Sequence, residues 1–154
     1  MLLASRDRIA PRLMFNTTAS APVGFYSLQP GAPRVGEWVA IKPPPHLAQW
    51  MSRRHYLPVN VPLLKQVAAR PGQEVCGRND TFWIDGQPIA RVRRADRWGR
   101  ALPIYSGCHC LTSAEVLVVN RAAADSLDSR YFGPLPALGV IGRARPLWTW
   151  EARR

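Results

Sequence analysis

Lys65 is the residue whose type and surroundings most clearly indicate chemistry. Only two of the 21 lysines and arginines are lysines, Lys42 and Lys65. Lysine can lose its proton in a protein, whereas arginine keeps it. Lys65 lies in the apolar segment VPLLKQVAA, and burial can lower the pKa of a lysine by up to ~3–5 units from its usual ~10.4. Lys65 is therefore a candidate general base, although such a lysine can also extend its ammonium group to water.

The segment 16–28, NTTASAPVGFYSL, offers a nucleophile for such a base. It contains Ser20 among small hydroxyl and methyl side chains, which would let another backbone approach closely. A serine activated by a neighbouring amine can attack a carbonyl carbon. The same composition is also typical of an ordinary serine-rich loop that leads into a strand. The sequence thus offers Ser20 and Lys65 as a candidate pair, if the fold brings them together.

Short strands are predicted to position these residues. The chain has 154 residues, enough for one domain with a core, and its 15 prolines and 11 glycines are spread along the whole length, as turns between strands are. Residues 46–56 predict a short amphipathic helix, and 74–89 predict two successive hairpins with turns near 79–80 and 85–86. Further strands are predicted at 34–42, 63–69, 115–120 and 144–154. We expect a mostly β domain.

The three cysteines, Cys76, Cys108 and Cys110, allow one disulfide and one free thiol in an oxidising compartment, or three thiols elsewhere. The pattern Cys108-His109-Cys110 is a weak candidate for zinc, because in a strand His109 would point away from the face that carries both sulfurs. No CxxC motif supplies further ligands. We therefore expect no metal and no other cofactor.

The formal net charge of +11 would attract a polyanion, whether nucleic acid, an acidic substrate or the anionic surface of a bilayer. The most basic segment is 91–100, RVRRADRWGR, a predicted exposed loop. One alternative for the protein is a non-enzymatic β domain that binds nucleic acid with this loop, where Trp98 would stack on a base. The basic residues concerned are Arg91, Arg93, Arg94, Arg97 and Arg100.

Three blocks of sequence, taken together, resemble a known family. Residues 16–26 read N-T-T-x-S-A-P-V-G-F-Y, residues 62–68 read P-L-L-K-x-V-A and are followed by P-G-x-x-V-C, and residues 125–134 read D-S-L-D-S-R-Y-F-G-P. Their joint occurrence in this order resembles the type I signal peptidases, and most closely the TraF-type peptidases of conjugative transfer. The resemblance runs from about residue 16 to the C-terminus. It implies a signal-peptidase-like coiled β-sheet or barrel with one or two short helices.

The resemblance also implies roles for individual residues. Ser20 would be the nucleophile and Lys65 the general base of a serine endopeptidase. The backbone N–H of Ser20 and the hydroxyl of Thr18 would form the oxyanion hole. These roles agree with the chemistry of the side chains, since a neutral lysine can take the proton of a serine and later return it to the leaving amine.

An acidic residue in the last block is implied as a further member of the site. By resemblance Asp128 would either orient Lys65 or hold Arg130, and a purely structural contact between Asp128 and Arg130 is an equal alternative. Asp125 is the competing carboxylate in the same block. The spacing of the motif favours Asp128.

The family acts outside the cytoplasmic membrane, so the resemblance implies a location on the periplasmic face of the inner membrane. There a disulfide becomes plausible, with Cys76 and Cys108 as the favoured partners. The substrates would be exported precursors cut after small residues, such as a pilin precursor, and no nucleic acid would be required. Residues 1–15 do not supply the apolar anchor of the family, so we expect them to be a remnant of an anchor or a replacement for it, ahead of a peptidase domain at 16–154.

Two other classes of hydrolase compete with this interpretation. Self-cleaving repressor-type domains also use a serine and a lysine, but no segment of the size of a helix-turn-helix precedes Ser20, and no Ala-Gly or Cys-Gly pair lies in the N-terminal arm. A histidine-based serine hydrolase would take its base from His46, His55 or His109, and none of these accompanies a nucleophile-elbow pattern.

Overall fold

Strands are the predominant regular elements of the structure, a computed structural model that describes residues 12–151. The mostly β fold class predicted from the sequence is confirmed. The strands are β1 (Arg12–Asn16), β2 (Val23–Gln29), β3 (Trp38–Ile41), β4 (Leu63–Ala69), β5 (Glu74–Arg78), β6 (Thr81–Ile84), β7 (Gln87–Arg91), β8 (Gly107–Cys110), β9 (Glu115–Val118), β10 (Leu135–Pro136) and β11 (Val140–Trp150). The helices are α1 (Pro45–Arg53), α2 (Ser129–Phe132) and a 3-10 turn at Ala137–Gly139.

The described strands form two antiparallel sheets. The larger sheet has the order β1-β2-β11-β3-β4-β9-β10, and the smaller has the order β7-β6-β5-β8. The long strand β11 pairs with β2 along one edge and with β3 along the other. Strand β2 follows the loop that contains Ser20, and β3 pairs with β4, which contains Lys65. Strand β11 therefore connects the part of the sheet near Ser20 to the part near Lys65.

The first described strand, β1, begins at Arg12 and pairs with β2 in register from Arg12 opposite Leu28. The larger sheet therefore starts four residues before the domain start that the sequence suggested. The remainder of the predicted segment 1–15 lies outside the described residues. In the described part, neither α-helix has the length and apolar character needed to cross a membrane.

The smaller sheet contains the two successive hairpins predicted from the sequence. Asn79 and Asp80 have φ angles of 52° and 53° in the turn from β5 to β6, and Asp85 and Gly86 have φ angles of 48° and 73° in the turn from β6 to β7. Two consecutive residues with positive φ are typical of the type I′ turn, which suits the twist of a two-residue hairpin and favours Asn, Asp and Gly. Local turn chemistry thus accounts for this part of the fold.

Helix α1 covers one side of the larger sheet. It begins at Pro45. Proline is favoured at the first position of a helix, because the backbone N–H that it lacks would have no partner within the helix there. Its buried side chains Leu47 and Met51 lie one turn apart and pack against β3, β4 and β9. The helix ends at Arg53, earlier than the predicted 46–56, because the chain turns away at His55 with a φ angle of 57°.

Strand β4 runs through the core and explains the burial of Lys65. Leu63, Lys65 and Val67 alternate with their neighbours and so share one face of the strand. Leu63 and Val67 pack in the same apolar cluster, which also contains Val39, the register partner of Lys65 on β3. The side chain of Lys65 is therefore placed on an apolar face, and only 4% of the residue is exposed.

The basic segment 91–100 lies on the surface, where several of its side chains contact neighbouring groups of the protein. Three of its arginines form ion pairs: Arg93 with Asp125, Arg94 with Asp80, and Arg100 with Asp96. The guanidinium carbons of Arg97 and Arg100 lie 4.1 and 4.7 Å from the ring centroid of Trp98. These contacts reduce the charge and the aromatic surface that the segment offers to nucleic acid.

Candidate functional site

The loop between β1 and β2 carries Ser20 and is shaped by Asn16. The side-chain amide nitrogen of Asn16 donates to the backbone carbonyls of Thr18, Ala21 and Pro22 at 3.0, 3.3 and 3.0 Å. Its oxygen accepts from the Thr18 backbone N–H at 3.1 Å. Because Asn16 is buried, these bonds hold the loop from within. The sequence alone indicates no role for this residue.

Ser20 and Lys65 come together in the fold. The Nζ atom of Lys65 lies 3.2 Å from the Oγ atom of Ser20, within hydrogen-bonding distance. Close packing near this contact also joins the two segments, since Leu64 on β4 packs with Ala21 and Tyr26 in one small cluster. The geometry therefore meets the condition on which the candidate pair depended.

Ser126 is a second partner of the lysine. Its Oγ atom lies 2.8 Å from Nζ of Lys65, and only 1% of the residue is exposed. The amine thus lies between the hydroxyls of Ser20 and Ser126. Ser126 lies within the third block, but no role for it is predicted from the sequence. Its only signal in the sequence was its place in that block.

Burial lowers the pKa of Lys65 from 10.5 to about 8. Loss of hydration is the largest cause, because removal from water disfavours the charged ammonium form. The negative charge of Asp128 raises the pKa, and the positive charge of Arg130 lowers it. With this pKa about a tenth of the amines are neutral at pH 7. The lysine can therefore accept a proton near neutral pH.

Thr18 lies beside Ser20, with its Oγ1 atom 3.4 Å from the Oγ atom of Ser20. The Thr18 hydroxyl also lies 2.8 Å from the side-chain oxygen of Asn16, to which it donates. A hydroxyl has a single hydrogen, so Thr18 must release Asn16 before it can donate to an oxyanion. Asn16 keeps the bond from the Thr18 backbone N–H when this happens.

Replacing Thr18 by valine tests the predicted oxyanion hole. Loss of one donor of this kind typically costs ~2.7–4 kcal/mol of transition-state stabilisation, so we expect kcat to fall by ~100- to 1,000-fold. The melting temperature should change little, because valine keeps the shape of threonine and the Asn16 oxygen keeps the bond from the backbone N–H of residue 18. Steady-state kinetics and thermal melting on Thr18→Val, with the exposed Thr112→Val as control, measure both quantities. A Thr18→Val enzyme with the wild-type kcat would remove Thr18 from the oxyanion hole.

Asp128 and Arg130 form a buried ion pair behind the site. The Asp128 carboxylate accepts from Nε of Arg130 at 2.9 Å and from Nη2 at 3.1 Å. It also caps helix α2 through the Arg130 backbone N–H and accepts from the backbone N–H of Asn120 at 3.0 Å. Of the two predicted roles of Asp128, these contacts agree with the one in which it holds Arg130. The charge of Asp128 also raises the pKa of Lys65. The competing Asp125 is exposed and pairs with Arg93.

A cavity of about 620 Å³ opens beside Ser20 and Lys65. Its walls are largely apolar and include Met14, Leu57, Val61, Leu63 and Leu127. Residues of the segment 93–98 also line the cavity, and Asp96 in this segment accepts a hydrogen bond from the hydroxyl of Tyr56. A largely apolar cleft with a few polar groups is typical of a substrate site.

The predicted cysteine pair forms a disulfide in the structure. Cys76 on β5 and Cys108 on β8 are register partners with their Cα atoms 4.1 Å apart. Cys110 is a free, exposed cysteine on the same strand as Cys108. The disulfide lies in the smaller sheet and fixes the edge strand β8 to the hairpins.

Comparison with known proteins identifies the family. The model of the family "Signal peptidase, peptidase S26" matches residues 8–150. A conjugal transfer protein TraF of Agrobacterium fabrum is 35% identical over 150 residues, which cover 88% of this chain and 82% of the relative. A plasmid transfer protein TraF of Escherichia coli is 30% identical over 159 residues, which cover 97% and 89%. The solved structure of a signal peptidase I from Enterococcus faecalis is 19% identical, covers 75% of this chain and 98% of its own, and has a TM-score of 0.45. The resemblance found in the three sequence blocks is confirmed, and the chain belongs to the signal peptidase family, peptidase S26.

Proposed function

We propose that the protein is a serine endopeptidase of the signal peptidase type, in which Ser20 forms an acyl-enzyme and Lys65 is the general base. The observation that carries the proposal is the 3.2 Å contact between the Ser20 hydroxyl and a buried amine whose pKa is lowered to about 8. A nucleophile within hydrogen-bonding reach of its base, which is itself oriented by a third group, is the general arrangement of nucleophilic catalysis. Ser126 is the third group here.

The geometry supports the following sequence of steps. The neutral amine of Lys65 takes the proton of Ser20 while Oγ attacks the scissile carbonyl carbon. The Ser20 N–H and the Thr18 hydroxyl stabilise the negative charge on the carbonyl oxygen. Protonated Lys65 then gives its proton to the leaving amine, and the peptide bond breaks. In the second half, Lys65 takes a proton from water, the resulting hydroxide attacks the ester, and Lys65 returns the proton to Oγ of Ser20 as the ester bond breaks.

The proposed substrates are exported precursor proteins with small residues before the cleavage point. A peptide can bind in extended form along the cleft, where alternate side chains enter pockets. The TraF relatives are conjugal and plasmid transfer proteins, so we propose a precursor of a conjugative transfer apparatus, such as a pilin precursor. The acyl-enzyme could also be resolved by an amine in place of water, which would join two chain ends.

An exposed aromatic patch supports attachment to the periplasmic face of the cytoplasmic membrane. It consists of Phe15, Phe25, Trp148 and Trp150, which lie on neighbouring strands of the larger sheet, and 74% of Trp148 is exposed. The patch adjoins the Ser20 loop, since that loop joins β1 to β2. Aromatic side chains suit the interface of a bilayer. Flotation with anionic vesicles should recover less Trp148→Ser than wild-type protein, and equal recovery would contradict this attachment.

Trapping of the acyl-enzyme tests the proposed reaction. The purified protein is incubated with a pilin precursor, quenched in acid within seconds and digested, and the peptides are analysed by mass spectrometry. We expect a precursor fragment joined by an ester to the peptide that contains Ser20, and its release by hydroxylamine. An ester on another residue would contradict the nucleophile. Cleavage of the chain itself, with the precursor left intact, would favour the repressor-type alternative.

A further inference from the structure

The side chain of Asn120 joins the backbone of the nucleophile to the backbone beside the base. Its amide nitrogen donates to the carbonyl of Ser20 at 2.6 Å. Its oxygen accepts from the backbone N–H of Gln66 at 2.8 Å, and Gln66 directly follows Lys65. Asn120 is 2% exposed, so neither bond competes with bulk water. One rigid amide group therefore links two segments of the chain that carry the reacting side chains.

Asn120 is held in turn by the buried ion pair. Its backbone N–H donates to the carboxylate of Asp128 at 3.0 Å, and its carbonyl accepts from Nη2 of Arg130 at 2.9 Å. Asp128 and Arg130 are almost fully buried and bond to each other. A buried pair that satisfies backbone groups in this way fixes their position firmly. The path from this ion pair to the nucleophile therefore runs through Asn120.

The turns after Asn120 also position Ser126, the second hydrogen-bond partner of Lys65. The backbone N–H of Ala123 donates to the carbonyl of Asn120 at 3.1 Å, and the N–H of Ser126 donates to the carbonyl of Ala123 at 3.1 Å. Ser126 then contacts Lys65 through its hydroxyl. Residues 120–130 thus approach both members of the reacting pair, with Asn120 on the side of Ser20 and Ser126 on the side of Lys65.

We propose that Asn120 is a positioning residue that sets the separation of Ser20 and Lys65, and that Asp128 acts on the reaction by holding Asn120. The inference rests on the proposed function of the two residues. The side chain of Asn120 bonds to backbone atoms of Ser20 and Gln66, and not to the Ser20 hydroxyl or the Lys65 amine. A displacement of about 1 Å at a reacting group can cost ~100-fold in rate. Loss of the bond to the Ser20 carbonyl should therefore slow chemistry more than it weakens substrate binding.

Kinetics of Asn120 variants of the whole chain test this inference with a pilin precursor as substrate. For Asn120→Ala we expect kcat to fall by ~100-fold, with KM changed by less than about threefold. The pH at half-maximal activity should stay at the wild-type value, because the burial of Lys65 and its contact with Ser126 remain. The exposed Asn60→Ala is the matched control and should keep the wild-type kcat. Each variant is measured well below its melting temperature, so that loss of folded protein does not lower the rate.

Asn120→Asp separates the two bonds of the side chain. Aspartate keeps an acceptor for the Gln66 N–H but has no donor for the Ser20 carbonyl, so we expect kcat to fall at least as far as in Asn120→Ala. This variant also serves if Asn120→Ala does not fold. A kcat within about twofold of wild type in a folded Asn120 variant would overturn the positioning role. That outcome is distinct from failure of the proposed function, in which Ser20→Ala would itself continue to cleave the precursor.

Discussion

Replacing Ser20 by alanine should abolish cleavage of an exported precursor, with kcat/KM lowered by at least about 10⁴-fold. The reason is chemical, since alanine offers no oxygen to form the acyl-enzyme and Lys65 then has no hydroxyl at 3.2 Å to deprotonate. Ser20 is only partly buried and its side chain contributes little to the core, so the protein should fold normally. Precursor cleavage followed by mass spectrometry measures the effect, and circular dichroism confirms the fold.

Ser113→Ala provides the matched control, because Ser113 is exposed and distant in sequence from the three blocks. It should cleave at the wild-type rate. Retention of cleavage by Ser20→Ala would show that another residue is the nucleophile. If neither protein cleaves and both bind single-stranded nucleic acid with an affinity that falls steeply with salt, the non-enzymatic basic domain would be the better interpretation.

Replacing Lys65 by methionine should have an effect of similar size on the rate. Methionine has nearly the length of lysine and fills the same apolar surroundings, but it cannot accept a proton. We expect kcat to fall by at least about 10³-fold, while KM changes little because the cleft is preserved. The matched control is Lys42→Met, which replaces the other lysine at an exposed position and should leave the rate unchanged. A Lys65→Met enzyme with substantial activity would exclude Lys65 as the base.

The wild-type rate should depend on the protonation of the same amine. The pKa of Lys65 is lowered to about 8, and only the neutral amine can take the proton of Ser20. The kcat/KM of the wild-type enzyme should therefore rise from pH 6 and reach half of its maximum near pH 8. Ser126→Ala, which removes a partner of the amine, should move this midpoint, whereas Lys42→Met should not. A rate that is independent of pH between 6 and 9 would contradict a lysine base.

The same pKa shift affects stability in a direction that can be worked out. Between pH 8 and 10.5 the unfolded chain holds a proton on Lys65 that the folded protein has released, so raising the pH through this window favours the folded state. Below pH 8 both states are protonated and the cost of burying the charge is constant. Relative to Lys65→Met, wild-type protein should gain up to about 3 kcal/mol of unfolding free energy across the window. Urea unfolding at several pH values measures this difference.

Local features of the sequence predict individual strands and turns better than they predict the order of the strands in the sheets. The hairpins at 74–89 were predictable because Asn79-Asp80 and Asp85-Gly86 favour the required backbone angles on their own. The position of β11 between β2 and β3 could not be predicted in this way, because strand order depends on contacts between residues far apart in the chain. Strand β1 was missed for the same reason, since it exists only through its pairing with β2.

The sequence by itself determined the family and identified Ser20, Thr18 and Lys65 as candidate site residues. These residues lie in short blocks of sequence that can be recognised without knowledge of the fold. It could not reveal the parts played by Ser126 and Asn120. Asn120 lies 100 residues from Ser20 along the chain, and Ser126 lies 61 from Lys65. Only the tertiary structure decided that these side chains meet. A hydrogen bond acts over about 3 Å of space, and the lowered pKa of Lys65 likewise arises from apolar groups that folding gathers around it.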